Sequence, residues 1–429
     1  MKRVLLRGPV LSRSGYGEHA RFIFRALMDN PSHFDVHVEP TPWGASSWIM
    51  KDTEETKLIK TCIEKHNMYK DVYPTYDISF QVMIPNEWQK IAKVNIGITA
   101  AVETDRASGQ WIQACNTVVD KVLVVSEHAK KSLVDPIYTI LNEQTKQPVG
   151  ALKCTVPVEV VGYPVKYHDQ VDLELELKND FNFMTVAQDS PRKNLVNSIK
   201  WFLDEFKDDD VGLVIKCHKM NHSVPDKFHV TDFLTGIVNA PEYEDRKCNV
   251  YLLHGNLTDG ELHSLYKHPK IKSYFTATHG EGFGLPIYEA AYSGLPIAAP
   301  AWSGQVDFLY ANQKNKKSGK TKKVPMFSKI RYELKEIQPE AVWDGVLVAE
   351  SKWCYVEEDH FKKTLRECYN KNNVKKKQAE ELKAYLEKEF SAENQYKKFF
   401  DSVNEYLTTP DEEDAGEWQN ILNKVVSYD

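Results

Sequence analysis

Short apolar runs alternate with amphipathic runs along most of this chain, and the alternation starts twice. "RVLLRG" at 3–8 reads as a strand. A glycine loop follows, then "GEHARFIFRALMDN", where Ala20, Ile23, Phe24 and Leu27 recur at helical spacing. "DVHVEP", "DISFQVMI" and "VNIGITAAV" read as further strands, and "DKVLVVSEHAKKSLV" as a strand running into a helix. After the extended "VPVEVVGYPV", residues 166–180, "KYHDQVDLELELKND", are polar and charged, as a domain boundary is. The alternation then restarts at "FNFMTVA" and continues through "NLVNSIKWFLDEF", "VGLVIKCH", "NVYLLHG", "TDGELHSLYKH", "SYFTATH", "PIYEAAYSG" and "LPIAAPAW". Strands alternating with helices build parallel, doubly wound sheets. Two such blocks predict an α/β chain with two Rossmann-like domains, over 1–168 and 169–393, and a helical return segment and tail over 394–429. Residues 357–407 read as charged helix, and 314–331, "KNKKSGKTKKVPMFSKIR", as a lysine-rich loop with eight basic residues.

Composition narrows the function classes. A chain of 429 residues exceeds what one core usually holds, which fits the two blocks. The net charge of -6 excludes a general polycation, though a local basic patch suffices for nucleic acid. Seven scattered cysteines without a CxxC pair indicate reduced thiols rather than a disulfide frame or a zinc site. Gly8 and Pro9 cut the first apolar run too short for a signal peptide or membrane span. The expectation is a cytoplasmic enzyme or binding protein with no transmembrane segment.

Three stretches carry chemistry. In "SRSGYGEHAR", Gly15 and Gly17 precede a helix whose free N–H groups suit an anion, although a plain strand-to-helix turn accounts for the same residues. In "VAQDSPRKNL", Arg192 and Lys193 follow a strand, where ligands bind in open α/β sheets and two cations can clamp a phosphate. A solvated charge pair is the plainer reading. Lys216, ending the next strand, is placed to join them. The third stretch is "HGEGFGLPIYEAA" at 279–291. Pro286 suits the first turn of a helix, so "GFGLP" is a turn feeding "IYEAAYSG". Glu281 and Glu289 bracket it with seven residues between them. Glu289 is either a ligand group or a carboxylate favoured by the helix dipole.

"HGEGFGLPIYEAAYSGLPIAAP" resembles the signature of retaining GT-B glycosyltransferases, the nucleotide-sugar-dependent family that includes sucrose synthase and bacterial mannosyltransferases. "YLLHGNLTDGELHSLY", "SPRKNL", "SGYGEHAR" and "FSAENQYKKFF" are similar to other segments of that family. The resemblance implies two facing Rossmann-like domains, a central cleft and a C-terminal helix crossing back. It implies a nucleotide-sugar co-substrate (UDP-, GDP- or ADP-sugar), no bound cofactor and no metal. Glu289 would take the ribose hydroxyls and Glu281 the transferred sugar. The turn Gly282, Phe283, Gly284 and Leu285 would meet the sugar and diphosphate. Arg192 and Lys193 would offset the diphosphate charge, and the Gly15 loop would close over it. The run Asp208–Asp210 reads as a solvated turn rather than a metal motif.

Two departures from the family bear on the site. Gln188 stands where many relatives place an arginine, which leaves the phosphate load to Arg192, Lys193 and Lys216. "AAVETDRASGQW" stands where many carry a histidine, so Glu103, Thr104 and Asp105 become the acceptor-side candidates. Glu103 is either a strand-end cap or the group that orients the acceptor hydroxyl. A saccharide or glycoconjugate is the expected acceptor. The lysine-rich loop also fits a phage-type DNA glycosyltransferase acting on a hydroxylated base, each neutralised phosphate adding a salt-sensitive increment. A non-catalytic nucleotide-sugar binding protein is the third possibility.

Overall fold

The computed structural model describes residues 1–30, 32–314 and 320–407. It contains two six-stranded parallel sheets. The first is built from β1 (Lys2–Gly8), β2 (Phe34–Pro40), β3 (Tyr76–Val82), β4 (Ala92–Thr99), β5 (Lys121–Val124) and β6 (Val158–Val160), in the order β2-β1-β3-β4-β5-β6. The second is built from β7 (Asn182–Gln188), β8 (Gly212–His218), β9 (Asn249–Leu253), β10 (Ile271–Phe275), β11 (Ile297–Pro300) and β12 (Ser328–Ile330), in the order β9-β8-β7-β10-β11-β12. In both sheets the strand order reverses beside the first strand, which opens a crevice at the carboxyl ends of the strands. This is the GT-B architecture.

Each core follows from the sequence period. The helix Gly15–Met28 buries Ala20, Ile23, Phe24 and Leu27 against Val4, Leu6, Ile78, Phe80, Ile96 and Ile98 on one face of the first sheet. The helix Leu195–Phe206 buries Leu195, Ile199, Phe202, Leu203 and Phe206 over the second sheet, where Phe183 and Phe275 meet them. Burying each such leucine, isoleucine or phenylalanine side chain contributes about 1.5–3 kcal/mol. The other face of the first sheet is unusual. Where a parallel sheet is ordinarily apolar on both sides, it carries Arg3 and Arg7 on β1, Asp35 and His37 on β2, and Asp77, Ser79 and Gln81 on β3.

Three helices follow one another over Glu358–Asn370, Asn372–Glu389 and Ala392–Leu407. The last returns to the first sheet, where Phe399 lies 5.2 Å from Phe80 and Phe400 stacks 5.8 Å from Phe34. Lys121 pairs with Glu405 at 3.0 Å, and the Lys2 ammonium donates to the Tyr406 carbonyl at 2.8 Å. At the crossover the Val165 amide donates to the Phe390 carbonyl at 2.7 Å.

The lysine-rich stretch is not a loop throughout. Thr321–Pro325 pairs antiparallel with Tyr310–Lys314, and Ser328–Ile330 is the edge strand of the second sheet. Val324 and Phe327 supply the apolar anchors that the lysines obscured; Phe327 is buried and Val324 packs against the same core. Lys320, Lys322 and Lys323 are exposed, whereas Lys316, Lys317 and the acidic tail beyond Leu407 lie outside the described residues. The run Asp208–Asp210 is a partnered turn, since Asp209 pairs with Arg366 at 2.9 Å and Asp210 accepts from Asn179 at 2.6 Å. All seven cysteines are free. Among the described residues no helix is long and apolar enough to cross a membrane.

Candidate active site at the facing carboxyl edges

The stretch 279–284 connects β10 to the helix Leu285–Tyr292. Gly284 caps that helix with φ +96°, in the left-handed region open to glycine. Gly280 lies hard against the loop after β4. A Cβ added to it would sit 2.1 Å from the Glu103 carbonyl oxygen. The Ser126 hydroxyl of the first domain donates to the Gly282 carbonyl at 2.6 Å. The carboxyl edges of the two sheets therefore touch at this turn.

Glu281 is the electrostatic centre. Lys193 Nζ approaches its Oε1 at 2.5 Å, and Arg192 Nη1 donates to its Oε2 at 3.1 Å. Both cations come from the Pro191–Lys193 turn after β7, which the His279 amide holds by donating to the Arg192 carbonyl at 2.8 Å. Arg192 also donates to the Gly280 carbonyl at 2.6 Å, and its Nη2 lies 3.3 Å from Glu103 Oε1. Glu103 is thus the first-domain carboxylate that meets the cation pair. Burial alone would raise the Glu281 carboxyl, but Lys193 and Arg192 hold it down at about 2. Burial lowers the Lys193 ammonium, against the pull of Glu281, while Glu103 and Glu281 raise the Arg192 guanidinium in spite of burial.

Glu289 sits one turn into the helix. Its half-buried carboxylate accepts from the Tyr266 hydroxyl at 3.1 Å. Desolvation raises it to about 7, against the opposing charge of Lys166. Lys166 itself spans the two domains, with Glu18 of the first helix at 3.0 Å and Asp259 of the second domain at 3.5 Å.

The remaining expected residues separate. Thr104 is fully buried and donates to the Arg106 carbonyl at 3.0 Å. The Asp105 carboxylate accepts from the Lys352 amide at 2.7 Å, so it ties the domains together. Lys216 is at the carboxyl edge of β8, yet its ammonium donates to the Gly255 carbonyl at 2.7 Å; burial lowers it to about 8. The Gly17 amide is taken by the Ser14 hydroxyl at 3.0 Å, whereas Gly15 lies opposite Leu285. The Phe283 ring is buried between Tyr163 at 4.9 Å and Phe308 at 5.0 Å, which leaves only its backbone for a ligand.

Sequence reasoning missed Ser126, Ser303, Tyr266 and Lys166. The Ser303 hydroxyl accepts from the Glu281 amide at 2.9 Å and so fixes the backbone at that residue. Ser126 is legible as a helix cap, but its bond to Gly282 crosses between domains and has no local signal. Lys166 looked like one more solvated charge of the polar linker.

No protein-family model and no curated protein matches this chain. Solved structures do share its fold. The HepE protein of Anabaena, in complex with UDP and glucose, is 10% identical with a TM-score of 0.59, over 94% of this chain and 100% of that one. Sucrose-phosphate synthase of Thermosynechococcus elongatus is 12% identical with a TM-score of 0.59, over 94% and 99%. A glycosyltransferase of Rickettsia africae is 14% identical with a TM-score of 0.56, over 95% and 99%.

Proposed function

We propose that this chain is a retaining, metal-independent glycosyltransferase that moves a sugar from a nucleotide-sugar to a hydroxyl of a saccharide or glycoconjugate, in the cytoplasm. Residues 1–168 would take the acceptor, 169–393 the donor, and 394–429 the return to the first domain. The observation that carries the reading is the charge cluster at the facing edges, with Glu281 held by Lys193 and Arg192 at 2.5 and 3.1 Å and Glu103 facing Arg192 from the other domain. A nucleotide-sugar is anionic in its middle and neutral at its ends. The diphosphate suits Lys193, Arg192 and the backbone of the 282–285 turn. The two polyol ends suit the carboxylates Glu281 and Glu289, which only accept hydrogen bonds when ionised.

In this reading the bond from the anomeric carbon to the diphosphate oxygen breaks while the acceptor oxygen adds on the same face. Lys193 and Arg192 neutralise the charge that develops on the leaving oxygen. Glu103 orients the acceptor hydroxyl, whose proton passes to the departing phosphate. Glu281 stays ionised throughout the physiological range, because its two cations hold its carboxyl at about 2.

The test is a panel of UDP-, GDP- and ADP-sugars, begun with UDP because the Anabaena neighbour holds it. A ligand at a hundred times its dissociation constant should stabilise the protein by about 2.7 kcal/mol. Lys193→Ala is expected to weaken donor binding at least about tenfold, as loss of a charge-assisted contact worth 1.5–3 kcal/mol requires. Equal affinity in titration calorimetry would remove Lys193 from the site. Donor binding with no transfer to any acceptor would leave a binding protein.

Donor binding should also depend on Glu289. Its carboxyl is raised from the ordinary 4.5 to about 7 by desolvation, so the acceptor-only form is lost as pH falls through 7. The donor KM is expected to rise toward pH 6, and a Glu289→Gln variant should show a flat profile over the same range. The sign for stability is opposite. The folded protein holds the proton more tightly than the unfolded chain, so this group's contribution is full below about pH 4.5 and lost on going up through 7. Glu289→Gln should therefore raise the unfolding midpoint at pH 8 more than at pH 4.5.

A further inference from the structure

The polar face of the first sheet is served by no part of the proposed reaction. Two cavities of about 860 and 610 Å³ open on it, within the size range of small-molecule sites. The smaller is lined by Arg3, Asp35, His37, Tyr69, Tyr73 and Asp77, with others. Its rim is aromatic. Tyr69 and Tyr73 are 41% and 61% exposed, with ring centroids 6.3 Å apart, and the Arg3 guanidinium lies 5.6 Å from the Tyr73 ring and 4.6 Å from Tyr76. Its floor is polar and balanced in charge. Lys65 pairs with Asp35 at 2.7 Å, and the Arg3 amide donates to Asp77 at 2.9 Å.

His37 is 1% exposed, and its Nε2 lies 3.0 Å from Asp35 Oδ2 and 3.4 Å from Arg3 Nε. Its Nδ1 and the Arg3 Nη2 are buried without a partner. A buried polar group left unpaired is costly, and both of these atoms belong to residues that line the cavity. If Nε2 donates to Asp35, Nδ1 is a bare acceptor; if Nε2 accepts from Arg3, Nδ1 carries a hydrogen. A hydroxyl answers either tautomer, since it both donates and accepts. The carboxylates disfavour an anion, and the arginine and lysine disfavour a cation. A neutral polyol with an apolar face for the tyrosine rings fits every group present.

We infer that this cavity is a saccharide-binding site, separate from the facing carboxyl edges, which holds the body of an extended acceptor. The inference rests on the glycosyltransferase reading only in naming that saccharide the acceptor. Arg3, Asp35 and Asp77 lie at the starts of β1, β2 and β3, whereas Glu103 follows the end of β4. Seven strand residues span roughly 20 Å, so the occupant is an oligosaccharide or polymer rather than a single sugar.

The test is hydrogen exchange of the full chain with millimolar maltoheptaose, chitopentaose or laminarihexaose. Binding of at least one should slow exchange over residues 65–77. Tyr73→Ala and, separately, Tyr69→Ala should each weaken that saccharide about tenfold, as loss of a stacking ring does. Both rings are substantially exposed and lie outside the donor site, so UDP binding should be unchanged. No protection of 65–77 by any of the three saccharides would overturn the inference, as would protection that survives both substitutions. Loss of UDP binding by the intact protein would count against the proposed reaction alone.

Discussion

Replacing Glu281 with alanine is expected to cost about 3 kcal/mol of stability, because it leaves the largely covered Lys193 without a carboxylate partner and Arg192 with Glu103 alone. Lys193 and Arg192 meet this one carboxylate at 2.5 and 3.1 Å, and Glu103 reaches only Arg192. The deficit should depend on pH. The folded carboxyl is depressed from 4.5 to about 2, so its contribution is full above about pH 4.5 and is lost as pH falls toward 2. Urea unfolding at pH 7 and pH 2.5 should therefore give a large difference from wild type at the first and a small one at the second. Transfer should fall at least about 100-fold, the scale of a lost contact at the reacting group. UDP affinity should be retained or increased, since the freed cations gain an anionic partner. A variant with wild-type stability and wild-type turnover would sink the assignment of Glu281 as the charge centre.

The second large effect is expected from Gly280→Ala. The added Cβ meets the Glu103 carbonyl oxygen at 2.1 Å and Trp302 at 3.0 Å, and a backbone oxygen of the opposite domain cannot step aside. The contact is between domains rather than within a core. The substitution should therefore push the two carboxyl edges apart while leaving each sheet folded. A displacement of about 1 Å between Glu103 and Arg192 is enough to cost roughly 100-fold in turnover. Far-ultraviolet circular dichroism should be unchanged and small-angle scattering should report a more open molecule. Full activity with unchanged scattering would show that these edges need not touch for the reaction.

The two sheets were legible because their strands are short apolar runs separated by helical periods, and burial of those runs is what folding rewards. The turn at 279–291 was legible for a different reason. Glycine, proline and a carboxylate at fixed offsets leave few backbone paths from strand to helix. The pairing of Tyr310–Lys314 with Thr321–Pro325 was hidden because Lys322 and Lys323 face water while Ala311 and Val324 pack inward. Thr104 and Asp105 show the limit at the site. Three adjacent polar residues read alike in sequence, yet only Glu103 meets Arg192, while Thr104 is buried and Asp105 binds Lys352.

Local spacing by itself thus determined the α/β class, the two doubly wound blocks and the chemistry available at each strand end. These depend on neighbours within a few residues. The tertiary structure alone decided which of those groups meet. Arg192 and Glu281 stand 89 residues apart, and Ser126 reaches Gly282 across 156. Such contacts form only when both sheets are complete and face each other, so no local rule encodes them. The same holds for the polar face of the first sheet, where His37, Ser79 and Gln81 are buried. That Arg3, Asp35, His37 and Asp77 share one side of that sheet was settled only by strand pairing and packing.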